Sequence, residues 1–132
     1  MSYTITRRDD LPVLISEVST DFDPRSDLQP LLAELDAAFA AMDGPFYYIA
    51  NIGESKWNFA QVVQALGQVA GSNAAMLLRN PHLRETLVVV HSDLIELGVR
   101  ALSQTQYGGL RAHLMDSVEE ALAYVRKDVS SP

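Results

Sequence analysis

Two apolar runs, each followed by a segment of helical period, limit what this chain can fold into. Phe46–Ile52 is continuously apolar and aromatic, as expected of a strand that is buried on both faces. Leu87–Val90 contains three adjacent valines and predicts a second central strand, because β-branched side chains disfavour a helix. Strands that alternate with helices require crossover connections, so the pattern predicts a mostly parallel α/β sheet.

Three shorter segments complete the predicted sheet. Tyr3–Thr6 and Pro12–Val18 flank the polar, turn-like stretch Arg8–Asp10 and predict an N-terminal antiparallel hairpin. Arg111–Leu114 predicts a short last strand. With four helical segments between and after the strands, the predicted order is β-β-α-β-α-β-α-β-α.

The first helix is predicted over Asp27–Met42 from an apolar stripe at helical spacing. We expect Ser26 or Asp27 to cap it, Pro30 to lie in its first turn and Gly44 to end it as a left-handed stop.

Each remaining helix has a predicted inner face. For the second helix these residues are Phe59, Val62, Val63, Leu66 and Val69 or Ala70. For the third they are Leu94, Leu97, Ala101 and Leu102, and for the last they are Val118, Ala121, Leu122 and Val125.

Caps are predicted for the last two helices. Ser92 should cap the third helix, which Gly108-Gly109 should end. Ser117 and Glu120 match a capping box at the start of the last helix.

The overall composition restricts the class of protein. A length of 132 residues predicts a single domain over residues 1–128, followed by a frayed tail at 129–132. The chain has no cysteine, so it has no disulfide and no thiolate zinc site. Its net charge of −7 argues against binding to nucleic acid. No apolar run could span a bilayer and no signal-peptide pattern is present, so we expect a cytoplasmic protein without membrane insertion.

The element order and two short motifs resemble a known family. One motif is Asn80-Pro81-His82-Leu83 before the valine-rich strand, and the other is the stretch Asp-Ser-Val-Glu-Glu-Ala-Leu-Ala-Tyr at Asp116–Tyr124. Together they resemble STAS-like domains, also called SpoIIAA-like, the fold of anti-sigma factor antagonists, and in particular small stand-alone members of uncharacterised function. The resemblance implies a STAS-like fold and a regulatory role that depends on docking another protein.

The chain departs from that family at the position of its phosphorylated serine. The matching stretch, Asn58–Gln61, contains neither serine nor threonine, so the usual phospho-acceptor is missing. Ser55 lies a few residues earlier. It is either a displaced acceptor or a cap for the following helix.

Known catalytic motifs are missing from the sequence. Glycine patterns for dinucleotides or phosphates, a hydrolase nucleophile elbow and a receiver-type aspartate are all absent. His82, His91 and His113 are too dispersed for a helical metal-ligand pair. We therefore expect no enzymatic activity, no metal and no cofactor.

A binding site, if the chain has one, is expected beyond the carboxyl ends of the parallel strands. The residues predicted to collect there as ligand-binding candidates are Asn51, Gly53, Ser55, His91, Ser92 and Asp93. Glu54, Asp116 and Ser117 should lie at the same edge. The lone Trp57 follows this loop, either as an exposed contact or as a buried anchor.

Two functions from different classes follow from these observations. The first is a non-catalytic protein-interaction module. An acidic stretch over residues 9–54 either keeps the protein soluble or offers a surface for a basic partner. The second is a small-molecule domain that binds a nucleotide, an anion or a lipid-like ligand. An apolar cavity among Phe39, Met42, Phe59, Met76 and Leu102 would favour a lipid, and the alternative interpretation is that these five are core residues. Self-association as a homodimer is left open.

Overall fold

The structure, a computed structural model, describes residues 2–71, 80–101 and 112–130. Within these ranges five strands form one mixed sheet in the order β1-β2-β3-β4-β5. The strands are β1 (Tyr3–Arg7), β2 (Val13–Val18), β3 (Phe46–Asn51), β4 (Leu83–Val89) and β5 (His113–Met115). β1 and β2 pair antiparallel, and all other neighbours pair parallel. The predicted α/β class, element order and N-terminal hairpin are confirmed.

Four helices lie in the described ranges: α1 (Pro24–Ala40), α2 (Phe59–Gly71), α3 (Asp93–Ala101) and α4 (Val118–Ser130). None of these four is long and apolar enough to cross a bilayer. α1, α2 and α3 pack on one face of the sheet, and α4 packs on the other.

The alternation of side chains along the strands assigns each strand residue to one of these two layers. The layer against α4 contains Val13, Ile15, Tyr47, Ile49, Leu87, Val89 and Met115. The layer towards the other helices contains Leu14, Val18, Phe46, Tyr48 and Val88. β3 therefore has buried side chains on both faces, as its continuous apolar run predicts.

The start of α1 differs from the prediction. The helix begins at Pro24 because Asp23, rather than Ser26 or Asp27, is the N-cap. A side-chain oxygen of Asp23 accepts a hydrogen bond from the backbone N–H of Arg25 at 3.0 Å. Proline suits the first helical position, where its missing N–H costs no helical hydrogen bond.

Two expectations about the course of α1 are wrong as a result. Since the helix begins at Pro24, Pro30 lies in its second turn rather than its first. The helix ends at a right-handed C-cap, Ala41, with φ of −82°. Gly44 does not adopt a left-handed conformation, so it is not the helix stop.

The predicted inner faces of α2 and α3 are confirmed only in part. Val62, Leu66 and Val69 of α2 do face the sheet, whereas other predicted members are exposed. Phe59 and Val63 are 70% and 50% exposed, and Leu97 on α3 is 66% exposed. Val62 of α2 and Ile95 of α3 are buried. Leu102 and the Gly108-Gly109 stop lie outside the described residues.

The last helix follows the prediction more closely. Ala121, Leu122 and Val125 are buried, and the backbone N–H of Glu120 donates to the Ser117 hydroxyl at 3.0 Å. The predicted cap and inner face are confirmed. The helix continues to Ser130, two residues into the segment expected as a frayed tail.

Candidate ligand-binding cavity

The structure brings three of the predicted site residues together at the carboxyl edge of the sheet. The backbone N–H of Gly53 donates to the side-chain oxygen of Asn51 at 3.1 Å, and the Asn51 amide donates to Glu17 at 3.1 Å. The His91 ring lies against Gly53, and its Nε2 bonds the backbone carbonyl of Asp116 at 2.5 Å. These side chains are engaged with one another and with backbone groups.

Ser92 and Asp93 occupy the start of α3. The Ser92 hydroxyl accepts a hydrogen bond from the backbone N–H of Ile95 at 3.4 Å, so it is the predicted cap. Asp93 is the exposed first residue of the helix, where its charge favours the positive end of the helix dipole. Both residues have a structural role at the helix start.

Ser55 is buried in the loop between β3 and α2. It is only 6% exposed, and its hydroxyl has no hydrogen-bond partner among the described residues. It does not cap α2, because Asn58 and Gln61 bond reciprocally at 2.8 and 2.9 Å across the first turn. In this conformation the hydroxyl is shielded from a modifying enzyme.

An apolar cavity of about 170 Å³ lies between the sheet and helices α1, α2 and α3. Leucines of α1, the β3–α2 loop and the inner residues of α2 and α3 surround it. Its floor consists of the sheet residues whose side chains point away from α4: Ser16, Val18, Tyr48, Ala50, Thr86 and Val88. No charged side chain is among the described residues that line it.

Small side chains leave the space for this cavity. Ser16 and Ala50 are directly paired in the sheet, and Ala65 lies opposite on α2. Gly98 lets α3 approach α2 closely, since a Cβ at this position would be 2.8 Å from a methyl group of Val62. Large apolar side chains at these positions would fill the space, as they do in the layer against α4.

One pair of hydroxyl groups lies at the cavity floor. The oxygens of Ser16 and Tyr48 are 2.6 Å apart in a buried hydrogen bond. Burial raises the pKa of Tyr48 to about 12, although the hydrogen bond with Ser16 acts in the opposite direction and lowers it. The phenol therefore stays protonated at neutral pH, and each hydroxyl has a partner.

Trp57 provides a polar atom that has no partner. Its ring lines the cavity and stacks on Phe22, with ring centroids 6.1 Å apart and planes inclined by 30°. The indole Nε1 is buried and makes no hydrogen bond within the described part of the chain. A buried N–H without a partner costs about 1–3 kcal/mol, so this group calls for a physical explanation.

The cavity does not lie among the five residues that the sequence offered for a lipid site. Phe39 packs against other core aromatic rings, Met42 lies outside the cavity lining, and Phe59 is exposed. Met76 and Leu102 lie outside the described residues. The signal that could have located the cavity is a set of small residues on inward-facing positions, close to the lone tryptophan.

The histidines are separate from one another in the fold. His113 pairs with Glu85 at 2.7 Å on the α4 side, and the exposed His82 lies in the loop before β4. Among the described residues no group of three or more histidine, aspartate or glutamate side chains could hold a metal ion.

Comparison with protein-family models, with curated proteins and with solved structures finds no match for this chain. The STAS-like resemblance therefore stays a prediction, and the functional argument depends on the site itself.

Proposed function

We propose that this protein binds a small, mainly apolar molecule in the cavity between its sheet and helices α1 to α3. The observation that carries the proposal is the cavity itself, about 170 Å³ of space with an almost wholly apolar lining. Ligand sites are typically concave and apolar, with a few polar groups that fix orientation. Ser16, Tyr48 and Thr86 are the hydroxyl-bearing residues of the lining here.

The volume indicates the size of the ligand. An engineered apolar protein cavity of about 150 Å³ stays dry and binds benzene. The present cavity is of similar volume, so it suits one substituted ring or a short branched chain. Of the three ligand classes expected from the sequence, the lipid-like class fits this cavity best. A nucleotide or an anion would need charged or strongly polar partners that the described lining does not offer.

The lining of an apolar cavity lacks dispersion contacts that a bound apolar molecule can supply. A ligand that restores the missing contacts stabilises the folded state, and does so in proportion to the logarithm of its concentration.

The test is a titration of the purified protein with isopropylbenzene, followed by the melting temperature and by the fluorescence of the lone tryptophan. We expect the melting temperature to rise with ligand concentration. Ala65→Leu projects a larger side chain into the cavity and should abolish the rise. Ala60→Leu is the matched control, because it makes the same change at an exposed position of α2.

Two results would contradict the proposal. One is an unchanged melting temperature across the solubility range of the probe. The other is an equal response in both leucine variants, which would mean that the probe binds elsewhere.

The protein-interaction function, the first expectation from the sequence, stays a prediction. The observation that bears on it is three exposed apolar side chains, Phe59 and Val63 on α2 and Leu97 on α3. A non-catalytic, STAS-like regulatory domain is compatible with ligand binding, since a bound molecule can shift the population of a docking-competent state.

A further inference from the structure

We infer that the loop between β3 and α2 is the gate of the cavity: residues 54–57 move outward together with the Trp57 ring, and an apolar ligand enters through the opening. This inference deepens the proposed function and rests on it. It starts from two buried polar atoms without a partner, the Ser55 hydroxyl oxygen and the Trp57 indole nitrogen. Within the described ranges these are the only buried side-chain polar atoms in that state, and they lie two residues apart.

Neither atom can gain a partner while the loop is closed. Each has almost no surface that a water molecule or a ligand could touch, so closing the loop removes its hydration and supplies no hydrogen bond in return. Opening the loop returns both groups to water. The open position is therefore favoured by the hydration of two polar groups, whereas the buried side-chain polar atoms in the other described segments keep their partners.

The backbone of the loop offers little resistance to opening. Within residues 53–57 the N–H of Gly53 donates to the Asn51 side chain at 3.1 Å, and the N–H of Ser55 donates to the Ile52 carbonyl at 3.1 Å. Beyond these two local bonds, no backbone group of these residues hydrogen-bonds to the described chain. A segment with so few backbone hydrogen bonds opens at a lower free energy than the strands of the sheet.

The two ends of the loop are fixed. Asn58 and Gln61 bond reciprocally at the start of α2, and the His91 ring lies against Gly53 at the other end. Between these ends the exposed charges of Glu54 and Lys56 are in water whether the loop is open or closed. Movement is therefore confined to residues 54–57.

Apolar side-chain contacts hold the loop closed. The Trp57 ring stacks on Phe22, with ring centroids 6.1 Å apart, and packs against the apolar residues of the sheet and helices around it. The same ring lines the cavity, so its displacement removes part of the cavity wall. The loop is thus held by apolar contact against the hydration of two polar groups, which is the balance that a gate requires.

The test of opening is hydrogen exchange in the protein without ligand. Trp57 is the only tryptophan, so its indole N–H gives a single NMR signal. Relative to the rates in an unfolded peptide, we expect this N–H to be less protected from exchange than the backbone amide of Ile49, at the centre of β3. Equal protection would mean that Trp57 is exposed only when the whole domain unfolds, and it would overturn the gate.

Ser55→Ala tests the cause of opening. It removes one of the two unpaired groups and so stabilises the closed loop relative to the open one. Exchange of the Trp57 indole N–H should therefore slow roughly 5- to 100-fold. Ser26→Ala is the matched control, because it makes the same change at an exposed position of α1 and should leave the rate unchanged. An unchanged rate in Ser55→Ala would mean that Ser55 and Trp57 do not move together, which contradicts the inference.

The route of entry is tested by the kinetics of binding. Isopropylbenzene is mixed with the protein in a stopped-flow instrument, and the fluorescence of Trp57 is recorded. Because Ser55 does not line the cavity, Ser55→Ala stabilises the closed loop equally with and without ligand. The association and dissociation rate constants should therefore fall by the same factor as the exchange rate, and the Kd should be unchanged.

The possible outcomes separate the two proposals. If isopropylbenzene does not bind, the proposed function fails and the gate fails with it. If it binds with rate constants that Ser55→Ala leaves unchanged, while exchange of the Trp57 N–H does slow, the ligand enters by another route. The cavity is then a ligand site, and the inference that the loop is its gate is overturned.

Discussion

The imidazole ring of His91 lies directly over Gly53, so close that a Cβ at residue 53 would be 2.9 Å from the ring atoms Cε1 and Nδ1. The ring is held there because its Nε2 bonds the Asp116 carbonyl at 2.5 Å. Gly53 is the second residue of the loop that leads to Ser55 and Trp57. The contact therefore connects the carboxyl edge of the sheet to the loop beside the cavity.

Gly53→Ala should destabilise the protein by about 1–3 kcal/mol, because the added methyl group displaces the His91 ring or the loop. The free energy of unfolding from urea denaturation measures the effect. Gly44→Ala is the control, since a Cβ there meets no atom within 4 Å. Adding His91→Ala should recover part of the loss at residue 53. If the double variant loses as much free energy of unfolding as the two single variants together, the ring is not the obstacle.

Two helical glycines should respond in opposite directions to substitution by alanine. Gly67 in α2 is open to solvent, with no atom within 4 Å of a Cβ, so Gly67→Ala should stabilise by about 0.5–1 kcal/mol. Gly98→Ala should destabilise, because its Cβ would be 2.8 Å from Val62 and a valine has little rotamer freedom. Thermal unfolding of both variants tests the contrast, and equal stabilisation would contradict the close α2–α3 packing.

The parts of the fold that the sequence predicts are those determined by strong local signals. Three adjacent valines predict β4, and the alternation of strands with helices predicts the parallel sheet. The caps Ser92 and Ser117 were located correctly, because a serine followed by acidic residues is a local pattern.

Which of the apolar residues of α2 are buried could not be predicted in the same way. Phe59 and Val63 form one apolar stripe, and Val62, Leu66 and Val69 form another beside it. Periodicity does not distinguish between adjacent stripes, since both have helical spacing. The choice is made by tertiary packing, which places the second stripe against the cavity and leaves the first in solvent.

The candidate site was predicted only in part. Asn51, Gly53 and His91 do meet at the carboxyl edge, because parallel strands end together there. The sequence does not locate the cavity, because its position depends on small side chains that are far apart in the sequence. Ser16 and Ala50 indicate an open space only when their pairing in the sheet is known.

Ser16 and Tyr48 should behave as a coupled pair in stability measurements. Tyr48→Phe leaves the buried Ser16 hydroxyl without its partner, at a cost of about 1–3 kcal/mol. Ser16→Ala likewise leaves the Tyr48 hydroxyl without its partner and should also destabilise the protein. The double variant should cost less than the sum of the two single variants, as measured in a double-mutant cycle by chemical denaturation. Strict additivity would mean that the hydrogen bond contributes no coupling energy.

Alkaline pH should destabilise the protein through its buried tyrosines. Burial raises the pKa of Tyr48 from 10.0 to about 12, so the phenol ionises more readily in the unfolded chain than in the folded protein. The associated stability is fully present below pH 10 and is lost as the pH rises towards 12. Tyr47, whose hydroxyl bonds Asp128 on the α4 side, has its pKa raised to about 12 mainly by burial and contributes in the same direction.

The free energy of unfolding at pH 9 and at pH 11 should therefore differ less in Tyr48→Phe than in the wild-type protein. If both proteins lose stability equally over this interval, burial at the cavity floor does not suppress ionisation of the Tyr48 phenol.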